Sequence, residues 1–205
     1  MVFLENNFYR TIKSFSKVEL VFKGSLFIGY GKPVKSEIEA KEFINEIKSI
    51  HSDANHNVSA YRVDIENNFA MKYDDDDEPS GSAGKPIYKV MELKNLQNTV
   101  IVVTRYFGGV KLGYGGLVKA YSDTATEVVN SCGILEVFEK TYLFLEFDYS
   151  EIQKIKPVVE NFGKIVDENY SDVVKFKVEV KKGHDDELIK KLVNLTKNKI
   201  KIGNL

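Results

Sequence analysis

Cysteine occurs once, at Cys132. A single thiol excludes an intrachain disulfide and a cysteine zinc cage, and it fits a reducing compartment, so a cytoplasmic location is expected. Long apolar runs are missing too, and none approaches the length of a membrane span. The first residues, MVFLENNFYRTIK, lack an extended apolar core and carry Glu5 early, so they do not read as a secretory signal and no membrane partner is expected. Charge of one sign is also lacking. With 29 Lys and Arg against 30 Asp and Glu, the net charge of -1 gives no global field to draw the chain to nucleic acid or anionic lipid. Any basic surface must therefore be local. No metal-ligand spacing and no nucleophile elbow is found, so neither a metal nor a cofactor is expected. What remains is 205 residues, 43% of them hydrophobic, which suffices for one large packed domain or two small ones.

One stretch, Asp74 to Gly133, concentrates the features that carry chemistry. It holds an acidic run, a first loop with Gly81 and Gly84, an apolar strand, and a second loop with Gly108, Gly109, Gly113, Gly115 and Gly116. Glycine beside Lys85, Arg105 and Lys111 suggests backbone held close to a ligand, an anion being the natural choice.

Residues 1–16 read as an arm. Val18 to Phe22 and Leu26 to Tyr30 read as paired strands turning at Lys23-Gly24-Ser25. Ser36 and Glu39 have capping-box spacing, and Ala40, Phe43, Ile44 and Ile47 form the buried stripe of the helix they open. Val58 to Ile65 and Phe69 to Tyr73 read as strands turning at Asn67-Asn68. Pro86 suits the first turn of a helix whose buried side holds Ile87, Val90, Met91 and Leu93. Thr99 to Tyr106 is the most apolar strand and is placed at the centre of its sheet. A helix from Gly116 buries Leu117, Tyr121, Ala125, Val128 and Cys132 and stops at Gly133.

After Gly133 the pattern starts afresh, which places a junction near Leu135 to Glu139 and domains at 1–135 and 136–205. Lys140 to Tyr149 alternates as a strand, Ser150 and Gln153 repeat the capping-box spacing, and Pro157 lies inside the helix that follows. Two further strands, at 163–170 and 173–180, a helix with Leu188, Ile189, Leu192 and Val193, and a short strand near Ile200 complete it. Strand, helix, strand, strand, helix, strand is the ferredoxin-like βαββαβ order. Its face opposite the helices is expected to be mainly polar.

Each motif has a plain structural reading beside the functional one. Asp74 to Glu78 suits a hard cation only if its carboxylates converge, and otherwise reads as a solvated loop. Gly81-Ser82-Ala83-Gly84-Lys85-Pro86 is not a phosphate loop, because the glycine spacer is short and Pro86 replaces the metal-binding hydroxyl; it is an anion site or a turn and cap. Arg105 to Gly116 lacks the third glycine of a dinucleotide fingerprint, Val118 standing there instead. Its basic residues and the rings of Tyr106, Phe107 and Tyr114 suit RNA or single strands, unless the rings pack inward. His56, near Tyr61 and Arg62, is an acid–base candidate or a turn residue. His51 and His184 carry no special expectation, and Cys132 reads as buried and inert.

The segments DDEPSGSAGKPI, TRYFGGVKLGYGGLVKAY and HNVSAYR, together with FIGYGKPVKSEIEAKEFI, resemble the YigZ/IMPACT family from about Val18 to Gly133. The remainder is similar to the ferredoxin-like domain of the family's bacterial members, which resembles the last domain of elongation factor G. The resemblance implies an α+β protein whose first domain is an α/β sandwich similar to the second domain of a small-subunit ribosomal protein. It also implies translational regulation, exerted by eukaryotic members on a starvation-responsive kinase pathway through a partner protein. Carried over residue by residue, it places function at Glu78, Ser80, Gly84, Lys85, Arg105, Tyr106, Gly108, Gly109, Lys111, Gly113, Gly115 and Gly116, with His56, Tyr61 and Arg62 as secondary candidates. Val58, Asp77 and Leu26 depart from the family pattern, where cysteine, glycine and a basic residue are common.

A non-catalytic, translation-associated factor that binds RNA or the ribosome is therefore expected, or a translation-related protein as partner. The competing readings are an enzyme or binding protein for a small phosphorylated compound, and a protein-partner module. The two glycine loops are expected to lie side by side, with Lys85, Arg105 and Lys111 around free backbone N–H groups.

Overall fold

The computed structural model describes residues 8–65 and 68–204. The turn expected at Asn67-Asn68 falls partly outside them. Contacts divide the chain into one unit, Tyr9–Val137, and a second that holds Phe8 and the residues from Phe138 on. No helix among the described residues is long and apolar enough to cross a membrane.

The first unit is built on a five-stranded antiparallel sheet. In chain order its strands are β2 (Ser16–Phe22), β3 (Ser25–Pro33), β4 (His56–Ile65), β5 (Asn68–Asp74) and β6 (Thr99–Tyr106). They lie in the order β2-β3-β6-β4-β5, so the most apolar strand is central, as its composition predicts. Every residue of β6 from Thr99 to Arg105 is buried, because helices cover both faces. Helix α1 (Glu37–Ile50) packs one face through Ala40, Phe43 and Ile47 against Val100, Val102 and Tyr106. On the other face α2 (Gly84–Leu93) and α3 (Gly113–Cys132) pack through Ile87, Met91, Tyr121 and Val128 against Val58, Ile101 and Val103.

The local signals act where the sequence puts them, with exceptions. Ser36 Oγ accepts the Glu39 N–H at 3.1 Å and caps α1. The β2–β3 turn is a two-residue turn with Lys23 and Gly24 both at positive φ, the backbone that matches strand twist. Leu93, expected inside, is exposed at the end of α2. The expected N-terminal arm contains a strand, β1 (Phe8–Ile12), paired with β7 (Ile134–Phe138) in a sheet of two. The stretch expected to be a joining segment is thus itself mostly strand.

The second unit runs β8 (Lys140–Phe147), α4 (Ile152–Phe162), β9 (Gly163–Tyr170), β10 (Val174–Lys181), α5 (Asp185–Thr196) and β11 (Lys201–Asn204). Its strand order β11-β8-β10-β9, antiparallel throughout, is the fourth-first-third-second order of the ferredoxin-like fold. Leu143, Leu145, Phe147, Phe176 and Val178 point into a core closed by Ile155, Val159, Leu188 and Leu192 of the helices. The open face is mainly polar; Lys177 lies over the rings of Tyr142 and Phe144, 4.7 and 5.6 Å from their centroids. Ser150 does not cap α4. A 3-10 turn over Tyr149–Glu151 leads into the helix instead, and no side-chain cap bond is made.

We propose that the two units are separately folded domains. Limited proteolysis is expected to leave two compact fragments, and a single fragment with one calorimetric transition would count against this. Cys132 is buried against the Gly31 carbonyl, and burial pushes its thiol up to about 11. The thiolate is the form that attacks a thiol reagent, and it is about one part in a thousand of such a group at pH 8. A chromogenic disulfide reagent is expected to label the protein fully in denaturant and slowly in its absence.

Candidate functional site

Apart from the exposed Asp77, the acidic run is a set of assigned contacts and not a solvated loop. Asp75 turns its carboxylate onto the start of α2 and accepts the N–H groups of Gly81 at 2.7 Å, Ala83 at 3.1 Å and Gly84 at 2.8 Å. Ala83 at the helix cap has no side-chain acceptor to offer, so the acid brings one from upstream. Asp76 takes the Lys48 ammonium at 2.5 Å and the Asn57 N–H at 2.6 Å. Asp76 and Asp77 both sit at positive φ, 46° and 67°, which accounts for the fitness of glycine at position 77. Among the described residues no group of three or more His, Cys, Asp or Glu side chains converges as a metal site.

Two expectations fail here. The first loop offers no free anion cradle, because Asp75 fills it. Lys85 and Ser80 are exposed on its outer side and take no part in a common site with Arg105. Gly84 is needed for packing: a Cβ there would lie 2.7 Å from the Asp74 carbonyl oxygen.

Arg105 is the second correction. It is 6% exposed, and Nη1 donates to Glu78 Oε1 at 2.7 Å inside the unit. Tyr121 O–H, from the buried stripe of α3, donates to the same oxygen at 2.7 Å. Burial first, then the charge of Glu78, raises the Tyr121 phenol well above its ordinary range, so it stays a donor. The Arg105 guanidinium carbon lies 5.6 Å from the centroids of both Phe27 and Phe107. A guanidinium so paired and stacked is part of the core and not a free phosphate contact.

The second loop leaves more open. Gly108 is structural, since a Cβ would fall 2.0 Å from the Gly24 backbone, and its N–H is taken by Ser25 Oγ at 3.1 Å. Beyond it the space over Gly109, Gly113 and Gly115 is empty, while Gly116 packs on Leu112. Helix α3 starts at Gly113 with no side-chain cap. Lys111 is exposed and has no ion-pair partner among the described residues.

A hollow of about 390 Å³ lies between the loops, lined by Glu78 and Pro79 from the first, Lys111 to Tyr114 from the second, and Asn55, His56, Arg105, Phe107 and Leu117. The loops do therefore lie side by side. Phe107 and Tyr114 are 45% and 58% exposed. His56 Nδ1 is 2.7 Å from the Asp76 carbonyl, and since a carbonyl only accepts, Nδ1 carries the proton. Nε2 then faces Glu78 Oε1 at 3.9 Å.

Three further candidates lie elsewhere. Successive residues of a strand face opposite ways, so Tyr106 points to the α1 side while Arg105 points to α2 and α3. Tyr106 donates to Asp53 at 2.9 Å and accepts from His51 Nδ1 at 2.9 Å; His51 Nε2 then accepts from Tyr30 at 2.6 Å. His51 thus has a defined place between two tyrosines. Tyr61, also on the α1 side, donates to Glu37 at 2.6 Å and is pushed up to about 12 by burial and that acid. Arg62 shares the His56 face but lies six residues along the strand, roughly 20 Å away, beside Phe69. Tyr121 and Asp75 are the functional partners that sequence reading missed. A tyrosine inside an apolar helix stripe is itself a signal, because its O–H must find an acceptor.

Replacing Arg105 or Glu78 with Ala leaves a buried charge unpaired and is expected to lower stability by about 3–5 kcal/mol in urea unfolding. The double variant should cost less than the sum, and Lys111→Ala should stay within about 0.5 kcal/mol of the parent. An Arg105→Ala variant as stable as Lys111→Ala would refute the structural role.

Residues 23–129 match the Impact N-terminal domain, and residues 145–199 match a domain of unknown function (DUF1949). IMPACT family member YvyE of Bacillus subtilis is 38% identical over 200 residues, which are 96% of this chain and 92% of that protein. YigZ of Escherichia coli is 27% identical over 165 residues, 80% of this chain and 81% of its own length. A crystal structure described only as a hypothetical protein aligns over 97% of both chains at 25% identity, with a TM-score of 0.62. With one family domain over half its length and a near-full-length relative at this identity, the chain belongs to the IMPACT family.

Proposed function

We propose that this chain is a translation-associated regulatory factor that binds RNA, free or on the ribosome, at the hollow between its glycine loops. The observation that carries the reading is the open end of α3. Its first N–H groups have no side-chain cap, Lys111 beside them is unpaired among the described residues, and the half-exposed rings of Phe107 and Tyr114 line the same hollow. Free N–H groups and an ammonium suit a phosphate, and exposed rings suit an unstacked base. Membership of the IMPACT family supports a role in translation, through the regulatory function that the resemblance implies. The Glu78–Arg105 pair is internally neutral, so Lys111 and the helix end set the local sign.

A second reading, a small phosphorylated compound, is favoured by the size of the hollow, which is within the range of roughly 300–1,000 Å³ typical of small-molecule sites.

The test titrates single-stranded RNA, structured RNA and ribosomes at several salt concentrations against the parent, Lys111→Ala and Tyr114→Ala. Affinity of the parent is expected to fall steeply with salt, and Lys111→Ala to flatten the slope by roughly one unit. Tyr114→Ala should weaken single strands more than duplexes. Absence of salt-dependent binding to all three would overturn the RNA reading and leave the small-molecule one.

A further inference from the structure

We propose that the hollow receives one unstacked guanine base of an RNA strand, recognised by Glu78 and His56 through its N1–H and N2–H edge. This rests on the RNA reading above and specifies its ligand.

The floor of the hollow presents two acceptors, on Glu78 and His56, beside the Arg105 guanidinium. Both hydrogen bonds to the Glu78 carboxylate, from Arg105 and Tyr121, end on Oε1. Oε2 has no partner among the described residues, although the side chain is only 3% exposed. His56 has its Nδ1 proton committed to the Asp76 carbonyl, which leaves Nε2, the accepting nitrogen of that tautomer, 3.9 Å from Oε1 of the same carboxylate. Two neighbouring acceptors of this kind ask for a ligand edge that carries adjacent N–H groups.

Among the common RNA bases, guanine has that edge. Its N1–H and N2–H₂ stand side by side and point the same way. Adenine and cytosine each pair one amino group with a ring nitrogen that accepts, and uracil has one N–H flanked by two carbonyls. Each of these would set an acceptor against Glu78 or His56. Guanine also presents O6 and N7, which favour nearby positive charge, and Lys111 lines the same hollow. Phe107 and Tyr114 provide surface for its ring faces, and the uncapped start of α3 with Lys111 suits the attached phosphate.

The experiment measures binding of the full chain to short uridine oligomers carrying a single guanosine, inosine, adenosine or cytidine, to the all-uridine strand, and to free GMP. The guanosine strand is expected to bind about tenfold tighter than the adenosine, cytidine and uridine strands. Inosine lacks only the N2 amino group and should lose several-fold of that advantage. Glu78→Gln, which keeps an oxygen for Arg105, should erase the preference; should that variant fail to fold, the inosine comparison carries the test. Equal affinity for all strands, still sensitive to Lys111→Ala, would overturn the guanine assignment and leave RNA binding standing. GMP binding as tightly as the guanosine strand would uphold the pocket and replace RNA by a free guanine nucleotide. No binding of any strand or of GMP would overturn both proposals.

Discussion

The Glu78–Arg105 ion pair is the contact on which the rest of this region depends. It joins the end of the acidic run to the last buried residue of the central strand, and Tyr121 brings helix α3 to the same oxygen. Two opposite charges taken out of water hold each other because neither has a cheaper partner within reach. Around this pair the two glycine loops have little freedom. Asp75 and Asp76, on the same run, secure the start of α2 and the edge of β4 by hydrogen bonds to backbone N–H groups. Four of the five consecutive acids, all but Asp77, thus act as an internal fastening, and the positive charge that faces outward comes from the neighbouring loop.

This arrangement divides labour between residues that look alike in the sequence. Arg105 and Lys111 are both cations beside glycine, yet one is buried, paired and stacked, and the other stands free at the rim. The same holds for the aromatics. Tyr106 and Phe107 are consecutive, but the first serves the hydrogen-bond chain of His51 and Asp53 on the α1 side while the second borders the hollow. Only a subset of the motif therefore faces the hollow, and the remainder keeps that subset in place.

Much of the fold could be read directly. The capping pair Ser36 and Glu39, the unbroken apolar run of β6 and the strand–helix order after Lys140 each carry a local physical cause, and each sits where that cause puts it. Several of the failures share a different cause, contacts between residues far apart in the chain. β1 finds its partner in β7 more than a hundred residues later, and Asp76 finds Lys48 across 28 positions. A run of like charges shows nothing of the partners that fold onto it. Ser150 had the right spacing for a cap, but the backbone takes a 3-10 turn there and the box stays unused. The opposite facing of Arg105 and Tyr106, by contrast, was available from strand geometry alone.

The close approach of Gly108 to the Lys23-Gly24 turn has a consequence for how this surface can change over evolutionary time. A backbone-to-backbone contact at that point leaves no room for a side chain, so the root of the second loop cannot vary without moving a hairpin. A few residues further on, Lys111 and Tyr114 are exposed, and the space over their neighbours Gly109, Gly113 and Gly115 is empty. On the proposed reading, substitution there alters what the molecule recognises while leaving its architecture untouched. The loop is anchored at its base and free to be rewritten at its tip, so new ligand preferences can arise on an unchanged scaffold.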